Sequence, residues 1–366
     1  MKNKKGLPER KGKITFATIL NFMAQDVTLA TSNTTAAATF GMQPTGHMFM
    51  AEYKNGSWSS GQLQDFHKIM LSPFALCFHY GQTIFEGMKA FRMKDGRLNI
   101  FRPEKHFERI NASLSRMQMP ELPYELFLNS ITGVVKSDKD WFEKDSEHAL
   151  YLRPLVIASE ERLGVKVSEE YLFIVMASPA GKYFVNPVKA KVETTYTRAF
   201  EGGPGYAKCG GNYGAAFYPA HLARLQGFDQ VIWTDGIEHE YIEEAGAMNV
   251  MFTVDGTLMT PELSGTILDG ITRESLLTLA AKKGIKTEVR RISITELEKW
   301  FKEGKKVEAF GVGTAAVVAP IKMIDIKGNK YSPYTGDDAL MFTLKKELND
   351  IKYGLQKDEW GWNYIL

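Results

Sequence analysis

The segment EGGPGYAKCGGNYG (201–214) sets six glycines around a single lysine, Lys208. Dense glycine permits positive φ angles and lets a bulky group approach the backbone closely. A lysine held there and partly withdrawn from water gains neutral, nucleophilic character; on a flexible surface loop it would stay solvated and inert. It is not a Walker loop, which places Lys directly after Gly and before Ser or Thr. A second segment, LSGTILDGITRESLLTLAAKKG (263–284), leads a glycine turn into a helix whose first turn carries Ile271 and Thr272. Free N–H groups and the macrodipole at such a start suit a phosphate, and the alternative is an ordinary helix with Thr272 as N-cap. In FGVGTAAVVAP (310–320), Gly311 and Gly313 precede Thr314 and Ala315. Small residues there let backbone N–H groups face an oxyanion, or simply make a tight turn into a buried strand, Ala316 to Ala319. In YIEEAGAMN (241–249), strand alternation turns one of Glu243 and Glu244 inward as a buried acid and the other to solvent. Tyr80 follows His79 on one apparently buried strand, and Tyr151-Leu152-Arg153-Pro154 sets an arginine on another. A buried arginine needs a carboxylate partner, which is either structural or a substrate. Cys209, beside Lys208, lacks a paired base and reads as incidental.

These groups need elements to hold them. Asn55-Gly56, Asp95-Gly96, Asp235-Gly236 and Asp255-Gly256 sit between β-prone stretches and predict hairpins in both halves. From Pro103 to Met117, Phe107, Ile110, Leu114 and Met117 fall on one helical face. From Thr272 to Lys283, Leu276, Leu279 and Ala280 do the same, with Gly284 as the stop. Strands and helices are mixed rather than strictly alternating, which reads as α+β. Gly181 to Val188, after the strand-like YLFIVMASP (171–179), is the linker candidate.

The chain has 366 residues, enough for two domains and a large core. Its 45 basic and 43 acidic residues leave a charge of +2, which gives no electrostatic footprint for nucleic acid or anionic membrane. Two cysteines exclude a disulfide framework and point to a reducing compartment, and no apolar run approaches a membrane span. The seven histidines show no metal-ligand spacing, so no metal is expected. No G-x-G-x-x-G follows a predicted strand, so a dinucleotide site is unsupported. Taken together, the chemistry-bearing segments list what a lysine–pyridoxal phosphate enzyme needs.

The chain resembles the branched-chain amino acid aminotransferases, fold-type IV (class IV) pyridoxal phosphate enzymes. The resemblance runs from about Phe40 to DEWGW (358–362) through HYGQTIFEGMKAFR (79–92), FRPEKHFERI (101–110), YLRPL (151–155), AKCGGNYG (207–214), ILDGITRESLL (267–277) and FGVGTAAVVAP (310–320). It implies that Lys208 bonds the cofactor aldehyde and moves the substrate α-proton. Glu244, rather than Glu243, would contact the pyridine nitrogen, and Tyr213 the ring hydroxyl, with Leu268 packed on the ring. Arg109, the amides of Ile271 and Thr272 and the hydroxyl of Thr314 would hold the phosphate. The amides of Thr314 and Ala315 would take the substrate carboxylate. Phe85, Tyr80, Tyr151 and Tyr183 would wall the side-chain pocket, and Arg153, with Tyr80 and Tyr183, would receive the distal carboxylate of glutamate. The implied reaction moves the amino group of L-leucine, L-isoleucine or L-valine to 2-oxoglutarate. D-amino acid aminotransferase and aminodeoxychorismate lyase of the same fold are the alternatives.

Two departures from the mammalian members stand out: Ala316 and Ala319 occupy the positions of their C-x-x-C pair, and Ala247 that of a threonine. The implied fold has a small α/β domain over 40–180, a linker over 181–188 and a larger domain with barrel-like sheets over 189–366, after an extension over 1–39. It also implies a homodimer in which Leu163 and Val165 close the partner's pocket, while the cytoplasm is the reducing compartment that the two cysteines point to. Lys2, Lys4, Lys5, Arg10, Lys11 and Lys13 before the stretch Ile14 to Ala24 sketch a signal peptide. Thr15, Thr18 and Asn21 break that stretch, and the reading kept is an extension or an upstream start.

Overall fold

The computed structural model describes residues 40–366 apart from 146, 182, 183 and 185. The expectations for residues 1–39 therefore lie outside the described residues.

Two sheets organise the described residues. The first contains β1 (His47–Lys54), β2 (Ser57–Trp58), β3 (Gln62–Asp65), β4 (Thr83–Phe85), β5 (Met88–Arg92), β6 (Leu98–Phe101), β7 (Ala149–Ala158), β8 (Tyr171–Pro179) and the late strand β18 (Asn363–Ile365). Their order is β18-β6-β5-β7-β8-β1-β2, with β3 on β1 and β4 on β7. The longest ladder pairs β7 with β8 from Leu150↔Pro179 to Ala158↔Tyr171. One face of this sheet packs on the helices Pro103–Arg116 and Tyr124–Ser137. The apolar period placed Ile110 and Leu114 correctly in that core, with Phe107 and Met117 packed against it.

The second sheet holds β9 (Val188–Val192), β10 (Gln230–Thr234), β11 (Ile242–Ala245), β12 (Met248–Val254), β13 (Thr257–Thr260), β14 (Thr287–Val289), β15 (Val307–Gly313), β16 (Val317–Ile326) and β17 (Asn329–Tyr331). The run β11-β10-β9-β16-β15-β12 closes on itself because β11 also pairs with β12, giving a six-stranded barrel. Closure removes the open edges that an extended sheet would leave. The closing link is a two-residue turn between Ala245 and Met248, with Gly246 at φ +61°. A Cβ on Gly246 would meet only the movable amide end of Gln230, so it is the positive φ of the turn that favours glycine here.

Three of the four predicted hairpin turns join consecutive paired strands: Asn55-Gly56, Asp95-Gly96 and Asp255-Gly256. Asp235-Gly236 does not make a tight turn. Its aspartate instead accepts from the backbone N–H groups of Ile237, Glu238, Glu240 and Tyr241, organising a wider loop before β11. An apolar cluster shared by both sheets, including Phe91, Tyr151, Met251, Phe310 and Val318, packs with the helices Ile271–Lys282 and Leu340–Lys352. The chain crosses from the first sheet to the second between Pro179 and Val188. Among the described residues, no helix is long and apolar enough to cross a membrane.

Candidate active site

Lys208 lies just before the helix Gly210–Leu225, and its neighbour Cys209 bridges to Ile84. The Lys208 backbone is pinned at both polar groups. Its N–H donates to Ser113 Oγ at 2.9 Å, and its carbonyl accepts from Phe85 N–H at 3.1 Å. The half-buried side chain donates from Nζ to Tyr213 Oη at 2.8 Å and lies 5.0 Å from the Phe85 ring centroid. The glycine loop thus presents a fixed lysine rather than a mobile one.

Across the cavity stands Glu244, on β11 opposite Asn249. It is 3% exposed. Its Oε1 accepts from Leu268 N–H at 2.8 Å, and its Oε2 lies 3.3 Å from Arg198 Nε in an ion pair that is not an aligned hydrogen bond. Burial pushes the Glu244 carboxyl above the usual carboxylate range, and the Arg198 charge only partly offsets this. Asn249 Nδ2 donates to the Leu268 carbonyl at 2.8 Å, so both strands of the turn hold the Leu268 backbone. Glu243 does not reach solvent as alternation suggested. It is buried on the opposite face, accepts from Thr266 Oγ1, and is also pushed upward by burial.

The cationic end of the cavity is built around Arg109. Its Nε and one Nη donate to the two oxygens of Glu86 at 2.7 and 2.8 Å, and the other Nη donates to the Asp269 carbonyl at 2.9 Å. Three of the five guanidinium N–H groups are thereby used, leaving two for an anion. Glu86 is fully buried and also contacts His106 Nδ1 at 2.7 Å. Burial alone would raise its pKa, but the Arg109 charge and the bonds from His106 and Arg109 outweigh this and hold it well below the usual range. Beside Arg109 begins the helix Ile271–Lys282. Its N-cap is Gly270, not Thr272, and no side chain caps it. The first N–H groups, with no intrahelical acceptor, therefore remain for a ligand. A Cβ at Gly270 would collide with Asn249 Oδ1, so glycine is needed for the approach.

Thr314 and Ala315 form the turn between β15 and β16 and line the same cavity, as do Ile271, Thr272 and Leu268. The remaining wall is aromatic. The Phe85 and Tyr213 rings are 4.9 Å apart, and Phe40 meets Tyr151 edge-on at 4.8 Å. Arg153 donates to Tyr151 Oη at 3.1 Å and stacks 4.7 Å from the Phe85 centroid, while its buried Nε has no hydrogen-bond partner. Tyr80 is elsewhere: it ends the exposed short helix Cys77–Tyr80 rather than lying on a buried strand, it does not line this cavity, and its hydroxyl donates to the Leu163 carbonyl. Tyr183 lies outside the described residues. Glu86, His106, Arg198, Asn249 and Phe40 belong to the site's surroundings without having been singled out in the sequence.

A family model described as amino-transferase class IV matches residues 83–324. The branched-chain-amino-acid transaminase 1 of Bacillus subtilis is 41% identical over 331 residues, covering 88% of this chain and 92% of the relative. Among solved structures, the branched-chain aminotransferase of Thermoproteus uzoniensis with norvaline has a TM-score of 0.72 at 26% identity, over 87% of this chain and 99% of that one. The branched-chain amino acid aminotransferase of T.th., complexed with N-(5'-phosphopyridoxyl)-L-glutamate, gives 0.71 at 25% identity, over 87% and 98%. A lysine facing a buried carboxylate, between an uncapped helix start and a turn of small residues, thus lies within a sequence and a fold that share one lineage. The chain belongs to the class IV aminotransferases, among their branched-chain members.

Proposed function

We propose that the protein is a branched-chain-amino-acid transaminase that exchanges the amino group of L-leucine, L-isoleucine or L-valine with 2-oxoglutarate. The observation that carries the reading is the approach of Lys208 Nζ and Tyr213 to a cavity that also holds the under-paired Glu244. The cofactor is pyridoxal 5'-phosphate, and the residues fit it. Glu244 keeps one oxygen without an aligned hydrogen bond, the helix start at Ile271 is uncapped, and Arg109 keeps two unused N–H groups. Lys208 would hold the aldehyde carbon. Arg109, Ile271, Thr272 and Thr314 would hold the phosphate, Tyr213 the ring hydroxyl, Glu244 the ring nitrogen and Leu268 a ring face.

When bound, the cofactor supplies an electron sink conjugated to the substrate nitrogen. Lys208 Nζ is the base for the substrate α-proton, and the same amine returns a proton later in the cycle. Tyr213 Oη, at 2.8 Å, keeps that amine aimed between movements. Glu244 balances positive charge across the cavity, which a neutral residue would not do. The Thr314 and Ala315 amides receive the α-carboxylate that all substrates share. Phe85 and Tyr151 accept an aliphatic chain, and Arg153, with Nε unpaired, can meet a second carboxylate. This dual wall supports the branched-chain reading over the D-amino acid aminotransferase and lyase alternatives.

We extend the reading to a cytoplasmic homodimer with a division at 181–188. Phe74, Phe78, Leu163 and Val165 are exposed, Val165 by 81%. Arg162 N–H bonds the Phe74 carbonyl and Tyr80 the Leu163 carbonyl, so these groups share one apolar surface. In the dimer, Tyr80 would travel with Leu163 and Val165 toward the partner's cavity. The test of the central reading is Lys208→Ala. Turnover of leucine with 2-oxoglutarate is expected to fall by at least about 10³-fold with circular dichroism and melting temperature retained. An active Lys208→Ala enzyme would overturn it.

A further inference from the structure

A second cavity lies on the far side of the 314–316 turn, sharing Ala315 and Ala316 with the active-site cavity. Lys89 lines it from β5, and only 3% of the residue is exposed. Strand alternation explains the direction: Met88 enters the core of the first sheet, so Lys89 faces the other way, toward the barrel. Its ammonium donates to the Ala315 carbonyl at 3.0 Å and lies 3.7 Å from Glu147 Oε2. Burying a lysine is costly unless its charge is paired and its donors are used, and the fold directs one of those donors to a main-chain oxygen of the turn.

The turn has little else to fix it. Its side chains are Thr314, Ala315 and Ala316, and Val317 follows at φ +60°, a left-handed conformation that β-branched residues rarely adopt. The Val318 N–H closes back on the Ala316 carbonyl at 2.8 Å. A peptide plane is rigid, so holding the Ala315 carbonyl toward Lys89 turns the N–H of that same peptide, Ala316, the opposite way. It also fixes ψ at Ala315, between the carbonyl held by Lys89 and the amide assigned above to the substrate carboxylate.

We propose that Lys89 is a positioning residue for substrate carboxylate recognition. From behind the turn it holds the Ala315 carbonyl so that the amides of Thr314 and Ala315 face the substrate. The proposal deepens the transaminase reading and rests on it. Lys89 touches no reacting atom. Its effect is confined to ligands with an α-carboxylate, and leucine, glutamate and 2-oxoglutarate all carry one.

The experiment compares Lys89→Met and Lys89→Arg holoenzymes with the unaltered enzyme. For Lys89→Met, KM for leucine and for 2-oxoglutarate should rise together by on the order of ten-fold or more, with a smaller change in kcat. The inhibition constant of 4-methylpentanoate, a carboxylate without the amine, should rise in parallel. Binding of 3-methylbutylamine, the amine without the carboxylate, read from cofactor absorption, should be unchanged. Lys89→Arg should recover part of the carboxylate affinity. Equal weakening of amine and carboxylate, or unchanged constants for both, would overturn the proposal. Should Lys89→Met fail to fold, Lys89→Gln, whose amide is too short to reach Ala315, carries the same comparison. Absence of branched-chain turnover by the unaltered enzyme would instead refute the transaminase reading, which separates the two failures.

Discussion

Glu244 lines the active-site cavity and Glu86 sits behind Arg109, which lines it too; both carboxylates are buried, yet their proton affinities are displaced in opposite directions. Glu86 receives two hydrogen bonds from Arg109, contacts His106 and accepts from Gly87 N–H at 3.1 Å. Its charge is fully satisfied by the protein and is held. Glu244 receives one backbone N–H and an oblique arginine, so burial dominates. The first carboxylate is finished: its task is to orient Arg109. The second is left incomplete, and a cationic group entering the cavity would complete it. Burial alone therefore does not tell a structural acid from a functional one; the count of aligned partners does.

The same substitution at the two sites should separate them. Glu86→Gln removes the carboxylate from a buried ion pair and should cost about 3–5 kcal/mol of stability, measured by denaturant unfolding of the holoenzyme. A loss below about 1 kcal/mol would mean that Arg109 finds another partner. Acid should mimic this change. Glu86 has a folded pKa below its unfolded one, so its contribution is full above the unfolded value and is lost as pH falls through the folded one. Glu244→Gln should behave oppositely in the cofactor-free protein. With its folded pKa raised, the ionised Glu244 opposes folding as pH rises through that value, so the amide should be neutral or stabilising near pH 7. Its cost should instead appear in kcat, which should fall about 10²–10³-fold. If Glu244→Gln destabilises as Glu86→Gln does, the distinction between finished and unfinished acids fails. The smallest effect is expected from Glu243→Gln. Glu243 faces away from the active-site cavity, so kcat should change less than about two-fold, within ±0.5 kcal/mol. A larger loss would place both acids in the machinery.

What could be read from the sequence divides along the range of the interactions. Lys208 and the helix start at Ile271 were visible because glycine content and helix signals are local properties of a short segment. The four hairpin dipeptides gave three tight turns for the same reason, and the fourth failed because Asp235 serves a whole loop of N–H donors. The local sequence offers Thr272 as a cap, but the close approach of Asn249 puts glycine at the N-cap. Gly246-Ala247 carried a readable signal, a glycine at the first position of a two-residue turn, and it closes the barrel. Glu86 had no local signal. Its partner Arg109 comes from the next helix, and only the packing of that helix on β4 and β5 brings them together. Lys89 is less legible still, since its acceptor is a main-chain oxygen on the other sheet. The second-sheet barrel and the class IV fold were legible mainly through resemblance, because the ring also needs β9 on β16 and β12 on β15, strands far apart in the chain.

The most direct test is the visible spectrum of the purified holoenzyme, recorded before and after L-leucine and again after 2-oxoglutarate. Leucine should convert the aldehyde form of the cofactor to its amine form, 2-oxoglutarate should restore it, and D-leucine should do neither. A spectrum indifferent to L-leucine, or one that responds to D-amino acids alone, would contradict the transaminase reading.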